Sequence, residues 1–173
     1  MGTNADESAG QPAAGETLWR FSLALYARPG VAHALLALQN RAGRDVNLML
    51  FALWIGATRA RLLDSAEFAI AEAAIGPFNA GVVHQLRRLR RELTDAADRD
   101  IQALRRRILH AELGAERRVQ DRLAAAVINP HQEPRTSPLA AATANLALYL
   151  GDEAGSAEAD VLRAAIAALM RAT

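Results

Sequence analysis

Residues Asp45 to Gly56 read DVNLMLFALWIG, and the fold class turns on them. Leu48, Met49, Leu50, Phe51, Leu53, Trp54 and Ile55 stand almost consecutively, so no rotation of a helix through them leaves a wet face. A helix that is apolar all round is a buried one. The stretch falls short of the roughly 20 apolar residues that cross a bilayer, and Asn47 sits inside it. It predicts a central apolar helix over about 45–58, the post of an all-α fold, a compact helical bundle of about six to eight helices.

Working upstream, Asp45 suits the N-cap of this helix, and Gly43 suits the left-handed position just past the end of the one before. That earlier helix takes Pro29 into its first turn, where a missing N–H costs nothing, and shows an apolar face of Val31, Ala32, Leu35, Leu36 and Leu38. So short a connection predicts an antiparallel hairpin. Thr17 reads as the cap of a first helix to about Ala27, with Trp19 and Tyr26 packing on the core. Residues 1–16, small, polar and glycine-rich, read as a disordered tail.

Downstream, Ser65 to Ile75 reads as a short alanine-rich helix entered through Asp64 or Ser65 and stopped by Gly76 and Pro77. From Phe78 a long apolar stripe runs Val82, Leu86, Leu89, Leu93, then Ile101, Leu104, Ile108, Ala111, Val119 and Leu123. A break is expected at Thr94 or Asp95, either of which would cap the second helix; the alternative is one helix of about four dozen residues, long for a compact domain. NPHQEPRTSP, Asn129 to Pro138, holds three prolines and reads as a linker, followed by helices over about Pro138–Leu150 and Ser156–Ala172. The expected organisation is a tail (1–16), a helical domain (17–128), a proline-rich linker (129–137) and a C-terminal helical pair (138–173) packed on the same domain.

Composition excludes several chemistries. The chain has 173 residues, 51% of them hydrophobic, which suits a single core. A net charge of +1 gives no overall field that selects nucleic acid or a membrane surface. There is no cysteine, which removes disulfides, thiolate nucleophiles, iron–sulfur clusters and cysteine-ligated zinc together. All 20 basic residues are arginine, so Schiff-base chemistry and a phosphate-loop lysine are out as well. The first residues lack the basic start and apolar run of a secretory signal; a cytoplasmic location and no membrane span are expected.

Two polar clusters carry what chemistry the sequence offers. Gln39, Asn40, Arg44, Asp45 and Asn47 gather at one end of the expected hairpin, and burying the Asn47 amide without a partner would cost about 1–3 kcal/mol. One reading is a small polar pocket with Asp45 as acid or base and Arg44 as an anion holder. The other makes Asp45 a cap, Arg44 a solvated loop residue and Asn47 a register-setting amide, features commoner than catalytic carboxylates.

The second cluster is HQLRRLRREL, His84 to Leu93. His84, Arg88 and Arg91 fall at i, i+4 and i+7 with Arg87 beside them, so one helical ridge gathers cations while the leucines face the core. Such a ridge would suit phosphate, nucleic acid or an acidic partner helix. Eleven arginines meet seven acids between Val82 and Arg122, however, and a mixed face is usually a solvated, salt-bridged one. Nucleic acid is disfavoured, because no aromatic stacking platform accompanies the charges.

Familiar signatures are missing: Glu-x-x-His, His-Glu-x-x-His, a glycine-rich phosphate loop, Gly-x-Ser-x-Gly, a calcium loop and Asp-Asp-x-x-Asp. His33, His84, His110 and His131 stand singly. No metal site, no cofactor and no catalytic residue are expected, and the balance weighs against an enzyme.

Leu18 to Trp54, with VVHQLRRLRREL and HAELGAERR later, resembles an uncharacterised proteobacterial family of small, all-helical cytosolic proteins. The resemblance rests on Trp19, Tyr26, Pro29-Gly30-Val31, Leu38-Gln39, Gly43, Asp45-Val46-Asn47 and Leu86-Arg87-x-Leu89-Arg90, and covers about residues 18–122. It implies a bacterial cytosolic protein with no assigned activity, and it transfers no catalytic residue.

Two functions are therefore expected in order. The first is a non-enzymatic interaction or adaptor protein offering a groove or the arginine ridge to a protein partner, with homo-oligomerisation open. The second is a small-molecule or anion-binding protein, with catalysis left open, whose pocket lies at the Asp45/Asn47 end near the arginine ridge. The candidate binding residues are Gln39, Arg44, Asp45, Asn47, His84, Arg87, Arg88 and Arg91. A ridge packed over the Asp45 end and enclosing a pocket with Asn47 facing it would favour the second; an Asp45 that simply caps its helix, with Asn47 bonded to backbone and no cavity nearby, would defeat it.

Overall fold

The computed structural model describes residues 14–126 and 136–172, with side chains from residue 17 onward. Residues 1–13 of the expected tail and 127–135, which hold most of the expected linker, lie outside the described residues. Among those described, the chain forms helices and no strand: α1 (Ala14–Tyr26), α2 (Val31–Ala42), α3 (Val46–Arg59), α4 (Ser65–Phe78), α5 (His84–Glu92), α6 (Arg99–Ala125), α7 (Pro138–Leu150) and α8 (Ala157–Arg171). A π turn, Asn79–Val83, carries α4 into α5 without a break, and a 3-10 turn, Gly151–Gly155, links α7 to α8.

The fold is the all-α bundle that the apolar stretch predicts. Every residue of α3 from Val46 to Gly56 is buried. α7 lies against α3 over the most extensive contact in the bundle, α1 packs on α6, and α2 packs chiefly on α8. Small residues let α3 and α7 meet closely, Gly56 on one side and the fully buried Ala141 and Ala142 on the other. Asn145 of α7, 1% exposed, fastens the loop after α3. Its carbonyl accepts the Leu63 N–H at 2.8 Å, and its amide donates to the Arg61 and Ala52 carbonyls. No helix among the described residues is long and apolar enough to cross a membrane.

Local chemistry sets most helix ends. Gly43 is left-handed at φ 65° and its N–H returns to Gln39 and Leu38. Asp45 caps α3 by accepting the N–H groups of Asn47 and Leu48. Asp64 and Glu67 form a reciprocal capping box on α4, and Ser137 and Ser156 cap α7 and α8.

Several expected details are corrected. α1 begins at Ala14, so Thr17 lies inside it instead of capping it, and residues 14–16 are helical. Pro29 precedes α2; Gly30, at φ 79°, takes the N-cap position and turns the chain through 102° between α1 and α2. α2 and α3 share little surface, because α2 finds its apolar partner in α8 instead of forming a packed hairpin with α3. Gly76 and Pro77 do not stop α4. The chain stays helical through Pro77 and widens into the π turn just beyond, where the His84 N–H reaches back five residues to the Asn79 carbonyl. A π turn next to a proline is a familiar way to absorb its missing N–H and its ring. The break after α5 falls where expected, but Asp98 caps α6, not Thr94 or Asp95.

The π turn also changes which face of α5 points inward. Val83, not Val82, is buried, and the inward positions continue through Leu86, Arg87, Arg90 and Leu93, leaving Leu89 42% exposed. One extra residue per turn shifts the helical phase by a position, which takes Leu89 off the inner face and puts two arginines on it. α5 and the first half of α6 form an arm: the buried residues of α6 begin only at Glu112.

Candidate functional site

The α2–α3 turn and the exposed side of α5 face each other across an open cleft of about 450 Å³. Its walls are Gln39, Asn40, Gly43, Arg44 and Asp45 on one side and His84, Arg87, Arg88, Arg91 and Glu92 on the other. Seven of the eight candidate residues, all but Asn47, therefore line one cleft, although some forty positions separate the two groups in sequence.

Asp45 holds the wall together. Its Oδ1 accepts the N–H groups of Asn47 and Leu48 at 2.8 and 3.2 Å, and its Oδ2 accepts Asn79 Nδ2 from the π turn at 2.7 Å. Three of a carboxylate's roughly four acceptor positions are thus engaged in the fold. Its backbone N–H donates to the Tyr149 hydroxyl at 2.9 Å. Burial pushes that phenol up to about 12, so it stays a neutral acceptor. By geometry Asp45 is a cap that also joins α3, the π turn and α7.

Asn47 is turned away from the cleft and is 6% exposed. Its Oδ1 accepts Gln120 Nε2 at 3.0 Å, and Gln120 Oε1 in turn meets Ser22 Oγ at 3.2 Å. The expectation that Asn47 helps build the pocket is corrected: two positions past the cap it faces α6, where a buried amide finds a side-chain partner.

Not every cation in the walls is available. Arg87 is spoken for by Glu116 at 2.8 Å and Glu112 at 3.3 Å, and Arg90, on the same inner face, also pairs with Glu112. The arginine ridge is thus divided, with Arg87 half-buried and neutralised from behind. Burial alone would raise the Glu112 carboxyl, but Arg90 and then Arg87 outweigh it and hold it below the ordinary range. Glu116 goes the other way, raised by burial that Arg87 only partly offsets.

The remaining cations, Arg44, Arg88 and Arg91, line the cleft, Arg44 also lining a smaller cavity beside Tyr149. Arg88 makes a loose, exposed pair with Glu92 at 3.7 Å, of a kind that contributes little. Arg44 sends Nη2 to the Leu150 carbonyl at 2.8 Å and stands 5.8 Å over the Tyr149 ring. Its buried Nε has no hydrogen-bond partner. Among the described residues neither Arg44 nor Arg91 has an acidic partner. With His84 and the amides of Gln39 and Asn40 alongside, the cleft offers planar and neutral donors to an anion and no aromatic surface to a base.

Sequence reasoning misses Asn79, Glu112, Glu116, Gln120 and Tyr149. Glu112 and Glu116, four apart on a helix rich in arginine, are the one available hint, since two acids on one helical face invite a cation from elsewhere.

The chain belongs to the family described as a protein of unknown function (DUF2390), whose profile matches residues 17–123. That span holds both walls of the cleft, with Asn79, Glu112, Glu116 and Gln120 behind them. No curated protein and no solved structure gives a significant match to the chain.

Proposed function

With membership of DUF2390 as the premise, we propose that this protein binds a small polyanion, such as a tricarboxylate or a phosphorylated metabolite, in the cleft between the α2–α3 turn and α5. The observation that carries the reading is the convergence of Arg44 and Arg91, neither with an acidic partner among the described residues, with Arg88 and His84 in one cleft. Forked guanidinium groups suit carboxylate and phosphate oxygens, and several from separate helices would select a compact, multiply charged ligand. Binding is the activity proposed and not catalysis, because of the two carboxylates that line the cleft Asp45 is engaged in the fold and Glu92 pairs with Arg88. We take the setting to be a bacterial cytoplasm, in keeping with the family resemblance. The ridge and the cleft support this reading over the adaptor one, while Asn47, expected to face the pocket, faces α6; the adaptor reading survives as the case in which acidic side chains of a partner protein fill the same space.

The test is a titration with citrate and with pyrophosphate followed by backbone amide shifts. Shifts at Gly43, Arg44, His84 and Arg91 are expected, weakening as salt is added. Arg88→Gln with Arg91→Gln, both exposed positions, should abolish them while leaving the rest of the spectrum in place. Absence of shifts with either anion, or shifts indifferent to the two substitutions, would overturn the proposal. Binding of an oligoglutamate peptide alone would transfer the cleft to the adaptor reading.

A further inference from the structure

The arm carries a second surface that the cleft does not use. Along α6, Asp100, Leu104, Arg107 and Ala111 follow one another at steps of four, three and four, which places them on one helical face. All four are exposed, and Leu104 is 48% exposed. Asp100 and Arg107 have no ion-pair partner among the described residues. They also cannot serve each other, because seven residues of helix set them about 10 Å apart.

This face is complementary to itself. A two-fold axis across α6 near Leu104 runs two copies antiparallel, and the midpoint between Asp100 and Arg107 falls on that axis. Asp100 of each copy then meets Arg107 of the other, both pairs closing together, while Leu104 packs against Leu104 with Ala103 beside it. The wider charge pattern agrees. Glu92, Asp95, Asp98 and Asp100 lie at the tip of the arm with Arg99 among them, and the exposed Arg106 and Arg107 lie further along with no acid between Ile101 and Ala111. An antiparallel arrangement brings each acidic tip against the partner's arginines, whereas a parallel one opposes like charges. We propose that the outer face of α6 is the docking surface for a second copy of this chain, forming an antiparallel dimer through its arms. The patch is small, so the dimer is a weak, concentration-dependent one.

Sedimentation of the full chain over a roughly hundredfold concentration range tests this. The wild type should shift from monomer towards dimer. Leu104→Glu, Asp100→Arg and Arg107→Asp should each remain monomeric with unchanged helical circular dichroism, as expected for exposed positions. The charge pattern makes a sharper demand: an equal mixture of Asp100→Arg and Arg107→Asp chains, and the double variant on its own, should both recover the dimer. A wild type that is monomeric throughout, a dimer that survives all three substitutions, or a loss that neither the mixture nor the double variant repairs would overturn the proposal.

Discussion

Gly56 of α3 and Ala142 of α7 meet backbone to backbone. A Cβ on Gly56 would overlap the Ala142 nitrogen and Cα outright and lie 2.6 Å from the Ala141 carbonyl carbon. The obstacle is main chain, which cannot swing aside as the tip of a side chain can. Gly56→Ala must therefore prise apart the most extensive contact in the fold. The expected loss is about 3 kcal/mol or more, the upper end for overpacking, with Tm lowered by about 6–12 °C in thermal unfolding. A Tm within a degree or two of wild type would mean that the two helices are not this close.

Gly114 is the opposite case. It lies inside α6, where its Cβ position opens onto empty space, with nothing within 4 Å. Gly114→Ala removes the entropic penalty of a helical glycine at no steric cost. The expected gain is about 0.5–1 kcal/mol, seen as a higher urea midpoint at an unchanged slope. A loss of stability would argue that this face of α6 is covered.

Asp45 supports α3 and the π turn at once, so its variants should separate the two roles. Asp45→Ala loses a cap, about 1 kcal/mol, and also strands the buried Asn79 amide, about 1–3 kcal/mol more. Asp45→Asn keeps an acceptor for the cap. Asn79 Oδ1 is without a partner, so a flip of the Asn79 amide would let it accept from the amide introduced at position 45. Asp45→Asn is therefore expected to cost less than half as much as Asp45→Ala in denaturant unfolding. Equal losses would show that the charge and not the hydrogen bonds matters.

The contrast between α3 and α5 explains what is legible in the sequence. α3 is apolar at nearly every position from Val46, so its burial needs no knowledge of its phase, and its cap and the preceding glycine are set by adjacent residues. α5 mixes four arginines with two leucines, and its inner face depends on phase. That phase is reset by a π turn which Gly76 and Pro77 conceal behind an ordinary stop signal. Periodicity alone accordingly puts Leu89 inside and passes over Arg90. The candidate residues are visible singly as polar residues beside an apolar post. Their meeting in one cleft, with Arg87 tied from behind by Glu112 and Glu116, depends on how α5 is set against α6, a non-local matter that no short motif records.

Glu112 and Glu116 take protons in opposite senses, which gives the arm a pH signature. Glu112, held below its ordinary 4.5 by Arg90 and Arg87 against the pull of burial, stabilises the fold above its unfolded value, and that contribution is lost as pH falls through the folded one. Glu116, raised above 4.5 by burial, binds its proton more tightly when folded. Its contribution is present below the unfolded value and is lost as pH rises through the folded one. Glu112→Gln should therefore cost about 3 kcal/mol near neutrality, the low end for breaking a buried pair, and progressively less in acid below the ordinary carboxylate value. Glu116→Gln should do the reverse, gaining stability near neutrality and losing that advantage in acid, provided Arg87 keeps its bond to Glu112. Urea unfolding of both variants at about pH 7 and about pH 4 measures the difference directly. Parallel responses of the two variants would mean that Arg87 does not divide its charge between the two carboxylates as the geometry has it.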